Sequence, residues 1–349
     1  MTTMTLGAAI GAGLRHALED DPKVVLLGED IGRLGGVYRV TDGLQRDFGD
    51  RRVVDTPLAE SGILGTAVGL AYRGWRPVCE IQFDGFVYPA FDQIVSQVAR
   101  MRARTGGAVS MPITIRIPVG GGIGAAEHHS DSPEAYFAHT PGLRVVSVAT
   151  PQDAYDTIIA AVASDDPVVF FEPKRLYHVR GDVLSRAERG ADDKPGIGGT
   201  GAGGMGGIGG ARVVVPGTDV TLVTFGGLVQ VARDAARAAA AEGVSIEVVE
   251  LRSLSPIDYE TVAASVRRTG RIVITHEGPE SLGLGAELSA AVVERCFVSL
   301  EHAPVRVTGW DIPYPPARVE RHHLPDLDRI LDGVDHALGK PSSFDEGVA

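Results

Sequence analysis

The feature that most restricts how this chain can fold is an alternation that recurs along nearly its whole length. A short, continuous apolar run is followed by a stretch of about 10–15 residues with apolar positions at helical spacing, and then by another run. The runs lie at 24–27, 53–56, 77–82, 113–117, 144–148 and 168–172, and again at 219–226, 245–251, 271–277 and 304–309. Ile10, Leu14 and Leu18 mark the first helical stretch, and others fall at about 58–72, 90–104, 152–163, 228–242, 259–268, 284–298 and 324–338. A run that is apolar at every position must be buried on both faces, as a strand is when helices cover both sides of a parallel sheet. The pattern predicts an α/β chain with two open, mainly parallel sheets.

Between the two sets of runs the composition changes, ending in PGIGGTGAGGMGGIGGAR at 195–212. Glycine at this density removes side-chain packing and raises backbone entropy, so the tract reads as a linker. No strand and helix flank it closely enough for a phosphate-cradling loop. The predicted organisation is a first domain over 1–185, a linker over 186–211 and a second domain over 212–349. With 349 residues, each domain has enough chain for its own core. Lys and Arg number 33 against 45 Asp and Glu, a net charge of −12 that disfavours nucleic acid as a partner. Cys79 and Cys296 stand far apart in apolar runs, which suits a reducing, cytoplasmic setting. No basic leader or membrane-length apolar segment is present, so membrane association is not expected.

In open α/β sheets, ligands bind beyond the carboxyl ends of the strands. The polar residues just past each run are therefore the candidates: GED at 28–30, DTPLAE at 55–60, EIQFDGF at 80–86, GGGIGAAEHHSDS at 120–132 and THEGP at 275–279. Glu60 falls in the first turn of a helix begun by Pro57, where a carboxyl complements the helix dipole or serves as a poorly hydrated acid–base group. His128 and His129 occupy a glycine-rich loop, either as solvent-facing side chains or as mobile acid–base groups titrating near neutrality. His276 ends a strand and fits an interface role as well as a chemical one. No GxSxG, P-loop or HExxH occurs, which removes the common serine hydrolase, nucleotide triphosphatase and zincin classes.

Taken in order, these motifs resemble the β subunit of the thiamine-diphosphate-dependent decarboxylating component of 2-oxo acid dehydrogenases. The likeness runs through VLLGEDIG at 25–32, DTPLAESGILG at 55–65, EIQFDGFVYPAFDQI at 80–94, GAAEHHSDSPEAYFAHTPGLRVV at 124–146, FFEPKRLY at 170–177, LRSLSPID at 251–258 and TGWDIPYPP at 308–316. It implies a transketolase-type fold, with a pyrimidine-binding domain followed by a transketolase C-terminal-like domain. It also implies a heterotetramer, α2β2, in which α holds the diphosphate and Mg2+ through a GDG motif and paired asparagines while β holds the aminopyrimidine. The chain contains no asparagine, so a self-sufficient one-chain enzyme is disfavoured.

By position, the resemblance makes Glu60 the carboxyl that hydrogen-bonds the pyrimidine nitrogen and so promotes loss of the thiazolium proton. Glu29, Ile31 and Phe86 join it at the cofactor; where Phe86 stands, the family often has tyrosine, so only a packing role carries over. His129, with His128 beside it, meets the 2-oxo acid substrate and assists acyl transfer to a lipoyl group of an acyltransferase core. A structural K+ is implied at the backbone carbonyls of Ile113, Thr114, Ala161, Ser164 and Asp166. The glycine-rich tract departs from the family, whose connection there is shorter. EIQFDGFVYPAFDQI resembles the branched-chain type more than the pyruvate type. The alternatives are a pyruvate or acetoin dehydrogenase β subunit, the pyrimidine-binding half of a split transketolase, and a non-catalytic docking scaffold.

Overall fold

The computed structural model of the protein describes residues 1–189 and 209–344; the remainder of the expected linker, 190–208, lies outside the described residues. The chain opens on β1 (Thr2–Thr5) and the helix Leu6–Asp20, capped by the Thr5 side chain. Then come β2 (Val24–Gly28), β3 (Val53–Asp55), β4 (Arg76–Glu80), β5 (Thr114–Val119), β6 (Arg144–Ser147) and β7 (Val168–Pro173). Every residue of β2, β5 and β7 is buried, as an apolar run covered on both faces must be. β8 (Arg180–Val183) returns antiparallel to β1, a two-stranded pairing with no apolar run to announce it.

The second half supplies β9 (Arg212–Val215), β10 (Val220–Phe225), β11 (Ile246–Leu251), β12 (Ser253–Ser255), β13 (Ile272–Pro279) and β14 (Val305–Gly309). Its sheet has five strands in the order β14-β13-β10-β11-β9, parallel except where β9 runs against β11. The first sheet has seven, in the order β12-β6-β7-β5-β4-β2-β3. Six of these come from the first half of the chain. The seventh, β12, is lent by the second half and pairs antiparallel with β6. One apolar cluster accordingly runs through both sheets, joining Phe137, Leu143 and Val145 to Phe225, Leu251, Leu254 and Leu284.

The single helix expected over 90–104 is instead a 3-10 turn at Asp84–Ala90, a π turn at Gln93–Val98 and a short helix at Met101–Arg104. Pro89 has no amide to donate, and the Ala99 amide reaches back five residues to the Ile94 carbonyl. Under the carboxyl ends of the central strands, Arg116 on β5 is held by Glu172 on β7 (Nε to Oε1 2.6 Å, Nη2 to Oε2 3.0 Å) and by Glu80 on β4. The Tyr177 hydroxyl donates to Glu172 at 2.6 Å and completes the set. No helix among the described residues is long and apolar enough to cross a membrane.

Candidate active site

Three of the helices that support the sheets are capped by side chains, Thr150, Asp258 and Asp326 each accepting a hydrogen bond from a first-turn amide, while Val229–Ala241 and Leu284–Cys296 are not. The helix Glu60–Tyr72 has no such cap. Its first turn is left to offer unpaired amides and one acid, Glu60, which is buried where the chain leaves β3. Glu29, just past β2, is buried beside it, and its Oε1 has no hydrogen-bond partner among the described residues. Burial first, and then the Glu60 and Asp30 charges, push the Glu29 carboxyl above its usual range, while only the Ala59 amide opposes the shift. Thr56 adds a second buried oxygen without a partner at the same strand end. Ile31 is buried and passes its carbonyl to the Thr41 hydroxyl at 2.7 Å.

The helix carrying Glu60 packs on the 84–90 turn, which in turn packs on the 3-10 turn Glu127–His129. Gly85 makes the second contact possible, because a Cβ there would stand 2.2 Å from the His128 carbonyl oxygen. The His129 ring lies 4.2 Å from Phe83 and 5.2 Å from Phe86, the latter edge-on at 80°. Burial, followed by the His128 and Lys174 charges, lowers the His129 pKa and keeps the ring neutral near pH 7. His128 is exposed and 6.0 Å from Phe86. Behind Phe83 lies a fully buried ion pair, Lys174 with Asp84, and the ammonium stands 5.9 Å from the ring centroid. Glu60, Glu29, Phe86 and His129 thus share one edge of the first sheet along a continuous line of packed elements.

His276 is not part of that edge. It is buried, its Nε2 accepts the Gly285 amide at 3.0 Å, and burial lowers its pKa to about 4. A neutral histidine spent on the start of the helix Leu284–Cys296 is a packing element. The residues the resemblance implies for K+ lie at the start of β5 and at and just beyond the end of the helix Pro151–Ala163. Ile113 and Ala161 already accept backbone amides, and Ser164 accepts from the Arg76 guanidinium at 3.0 Å. Each carbonyl keeps a second lone pair, so the set fits a cation only beside that fixed positive charge.

Sequence reasoning passed over Lys174, Asp84 and Phe83, although all three lie in quoted motifs, because nothing in their spacing shows that they meet. It also passed over Glu134, on the short helix after the histidine loop. Burial, then the Glu277 and Asp84 charges, pushes this carboxyl up to about 8 from its ordinary 4.5. A folded-state pKa raised above the unfolded value gives stability that is full below about pH 4.5 and is lost as pH rises toward 8. Glu134→Gln is expected to remove a decline on the order of a few kcal/mol across that window, read from thermal unfolding at successive pH values. A variant that keeps the native slope would assign the decline to another group.

Comparison with known proteins places two family models on the chain: "Transketolase, pyrimidine binding domain" over residues 2–180 and "Transketolase, C-terminal domain" over 209–330. The pyruvate dehydrogenase E1 component subunit beta of Leifsonia xyli is 56% identical over 330 residues, covering 95% of this chain and 93% of the relative. The 3-methyl-2-oxobutanoate dehydrogenase subunit beta of Mycobacterium tuberculosis is 52% identical over 341 residues, with coverage of 97% and 93%. The 2-oxoisovalerate dehydrogenase subunit beta of Pseudomonas aeruginosa is 45% identical, with coverage of 91% and 90%. Among solved structures, a split-gene transketolase described as an inactive beta4 tetramer superposes with a TM-score of 0.75 at 24% identity over 96% of this chain and 98% of that one, a likeness of fold.

Proposed function

The chain belongs to the family of 2-oxo acid dehydrogenase β subunits, with a transketolase-type pyrimidine-binding domain, and we propose that it supplies the aminopyrimidine half of a thiamine diphosphate site completed by an α subunit in an α2β2 assembly. The observation that carries this reading is the buried Glu60 in an uncapped first turn, beside a Glu29 oxygen that has no partner among the described residues. When bound, thiamine diphosphate supplies an acidic carbon that adds to the 2-oxo group and an electron sink for the carboxylate lost as carbon dioxide.

The protein's part is orientation and proton handling. With the cofactor bound, the buried Glu60 carboxyl would hydrogen-bond the pyrimidine nitrogen, a bond that burial strengthens. Glu29, whose carboxyl burial and the Glu60 charge push above its usual range, stands beside Glu60 as a second oxygen donor or acceptor for the same ring. Ile31 and Phe86 give apolar walls. His129, neutral and half-buried, exchanges a proton with the substrate or with the lipoyl sulfur that accepts the acyl group, with His128 in support. The Mg2+ and diphosphate belong to α, since the chain has no asparagine for the paired-asparagine motif. A structural K+ would take the Ile113, Thr114, Ala161, Ser164 and Asp166 carbonyls, sharing Ser164 with Arg76.

For the substrate, the motif at 80–94 favours a branched-chain 2-oxo acid, whereas the relative at 56% identity favours pyruvate. One methylene in an apolar pocket discriminates by about 10- to 200-fold, enough to settle the choice by kinetics. The test is the chain alone and reconstituted with an α-type subunit, assayed for carbon dioxide release from 3-methyl-2-oxobutanoate and from pyruvate. Activity only in the mixture, with kcat/KM at least about tenfold higher for the branched substrate, is the expected result. A preference for pyruvate reverses the substrate assignment, and activity of the chain alone overturns the shared site.

A further inference from the structure

The histidine loop is tied at its base within the first domain, where the Gly120 amide donates to the Asp131 carbonyl at 2.9 Å. The ties of its glycine segment, 121–124, come from the second half of the chain. The Gly121 amide donates to Glu277 Oε2 at 3.0 Å, and Glu277 also pairs with Arg175. The Gly124 amide donates to Glu320 Oε1 at 3.0 Å, and the Gly122 amide is shared between Glu320 Oε2 at 3.3 Å and the Tyr314 hydroxyl oxygen at 3.2 Å. Tyr314 in turn donates its own proton to Glu320 Oε2 at 2.9 Å. The fit is close: a Cβ on Gly121 would stand 1.9 Å from the Tyr314 oxygen. A carboxylate that receives amides from both sides of Ile123 and is itself oriented by a tyrosine fixes backbone rather than a side chain. Beyond Gly124 the loop continues through Ala125 and Ala126 into the turn bearing His128 and His129.

We infer that Glu320 and Tyr314 are positioning residues for the acyl-transfer step: the second domain grips the glycine loop and thereby sets where His129 stands against the acyl acceptor. This rests on His129 meeting the acceptor. None of the grip's hydrogen bonds is made to Glu60 or Glu29, so its loss falls more heavily on transfer, where His129 meets the acceptor, than on decarboxylation, which turns on the Glu60 end of the sheet edge.

The test uses the assembled complex with Glu320→Ala, Glu320→Gln, His129→Ala and the double variant Glu320→Ala/His129→Ala. Decarboxylation is measured with ferricyanide as the electron acceptor, transfer is measured with a lipoyl domain, and amide exchange is followed over residues 120–132. Glu320→Ala is expected to slow transfer by about 10- to 100-fold, the scale of a misplaced reacting group, with decarboxylation within about threefold of the parent. It is also expected to speed exchange of the loop amides at least about tenfold, with Glu320→Gln restoring both readouts in part because its amide oxygen still accepts. The double variant loses no more than His129→Ala alone. Equal losses in both half-reactions, additive losses, or unchanged loop exchange overturn the clamp. Should His129→Ala leave transfer intact, the role assigned to His129 fails and the clamp's purpose with it; normal loss in His129→Ala beside an unaffected Glu320→Ala overturns the clamp alone.

Discussion

Glu60→Gln is expected to lower decarboxylation by the assembled enzyme by about 10²–10⁴-fold, the contribution typical of a placed acid–base group, and Glu60→Ala at least as much. The size follows from the site's poverty of substitutes. The other carboxyl that couples to it, Glu29, is pushed above its usual range by burial and then by Glu60 itself. Replacing Glu60 with a neutral group removes one of the charges that hold Glu29 up, so the Glu29 pKa should fall while the rate collapses. Folding should suffer little, because the Gln side chain fills the same space and relieves a repulsion between two buried acids. The decisive measurement pairs the ferricyanide-linked rate with thermal unfolding. A variant of native rate would move the proton chemistry away from Glu60 and leave the chain's role as a docking scaffold standing.

The second large effect is one of stability. Arg116→Met is expected to cost about 3–5 kcal/mol, because it strands Glu80 and Glu172 in the interior without their shared cation. Arg116 is 2% exposed and Glu172 is fully buried, so water cannot take the guanidinium's place. Burial alone would weaken the arginine's charge, yet the two carboxylates hold it protonated, and the same burial raises Glu80. In the variant Glu80, already raised by burial, would move further toward its neutral form. An acid whose folded pKa is raised adds stability at low pH and loses it as pH rises, so the deficit should be smallest in acid and grow toward neutrality. For a domain of this size the loss corresponds to a drop in Tm of roughly 6–20 °C. Adding Glu80→Gln and Glu172→Gln should recover part of it. A drop of under about 2 °C would mean that the cluster is not a buried ion network in solution.

Much of this fold was legible because continuous apolar runs have few other uses. Helix bounds came within a residue or two where a cap or a proline marked them, as at Thr150-Pro151 and Asp258. The misses have physical causes. The polar strand β1 has no apolar run, and its pairing with β8 joins residues about 180 positions apart. The helix expected at 90–104 is interrupted by turns that no periodicity records. At the site, Glu60 and His129 were legible as polar residues at strand ends and by resemblance. Lys174 under Phe83, and Glu320 over the glycine loop, could not be found that way. Each acts at long sequence separation, and only the folded chain shows what it touches. His276 shows the converse, since its strand-end position fitted an interface role as well as a chemical one, and its burial and its bond to Gly285 make it a packing element.

The strand β12 changes what the long glycine tract is for. Because Ser253–Ser255 completes the edge of the first sheet and a common apolar cluster runs through both sheets, the two halves hold each other by noncovalent means on either side of residues 190–208. The chain is in this respect already organised as two complementing fragments, and a gene divided at the glycine tract would encode pieces that carry within their own strands the instructions for finding one another.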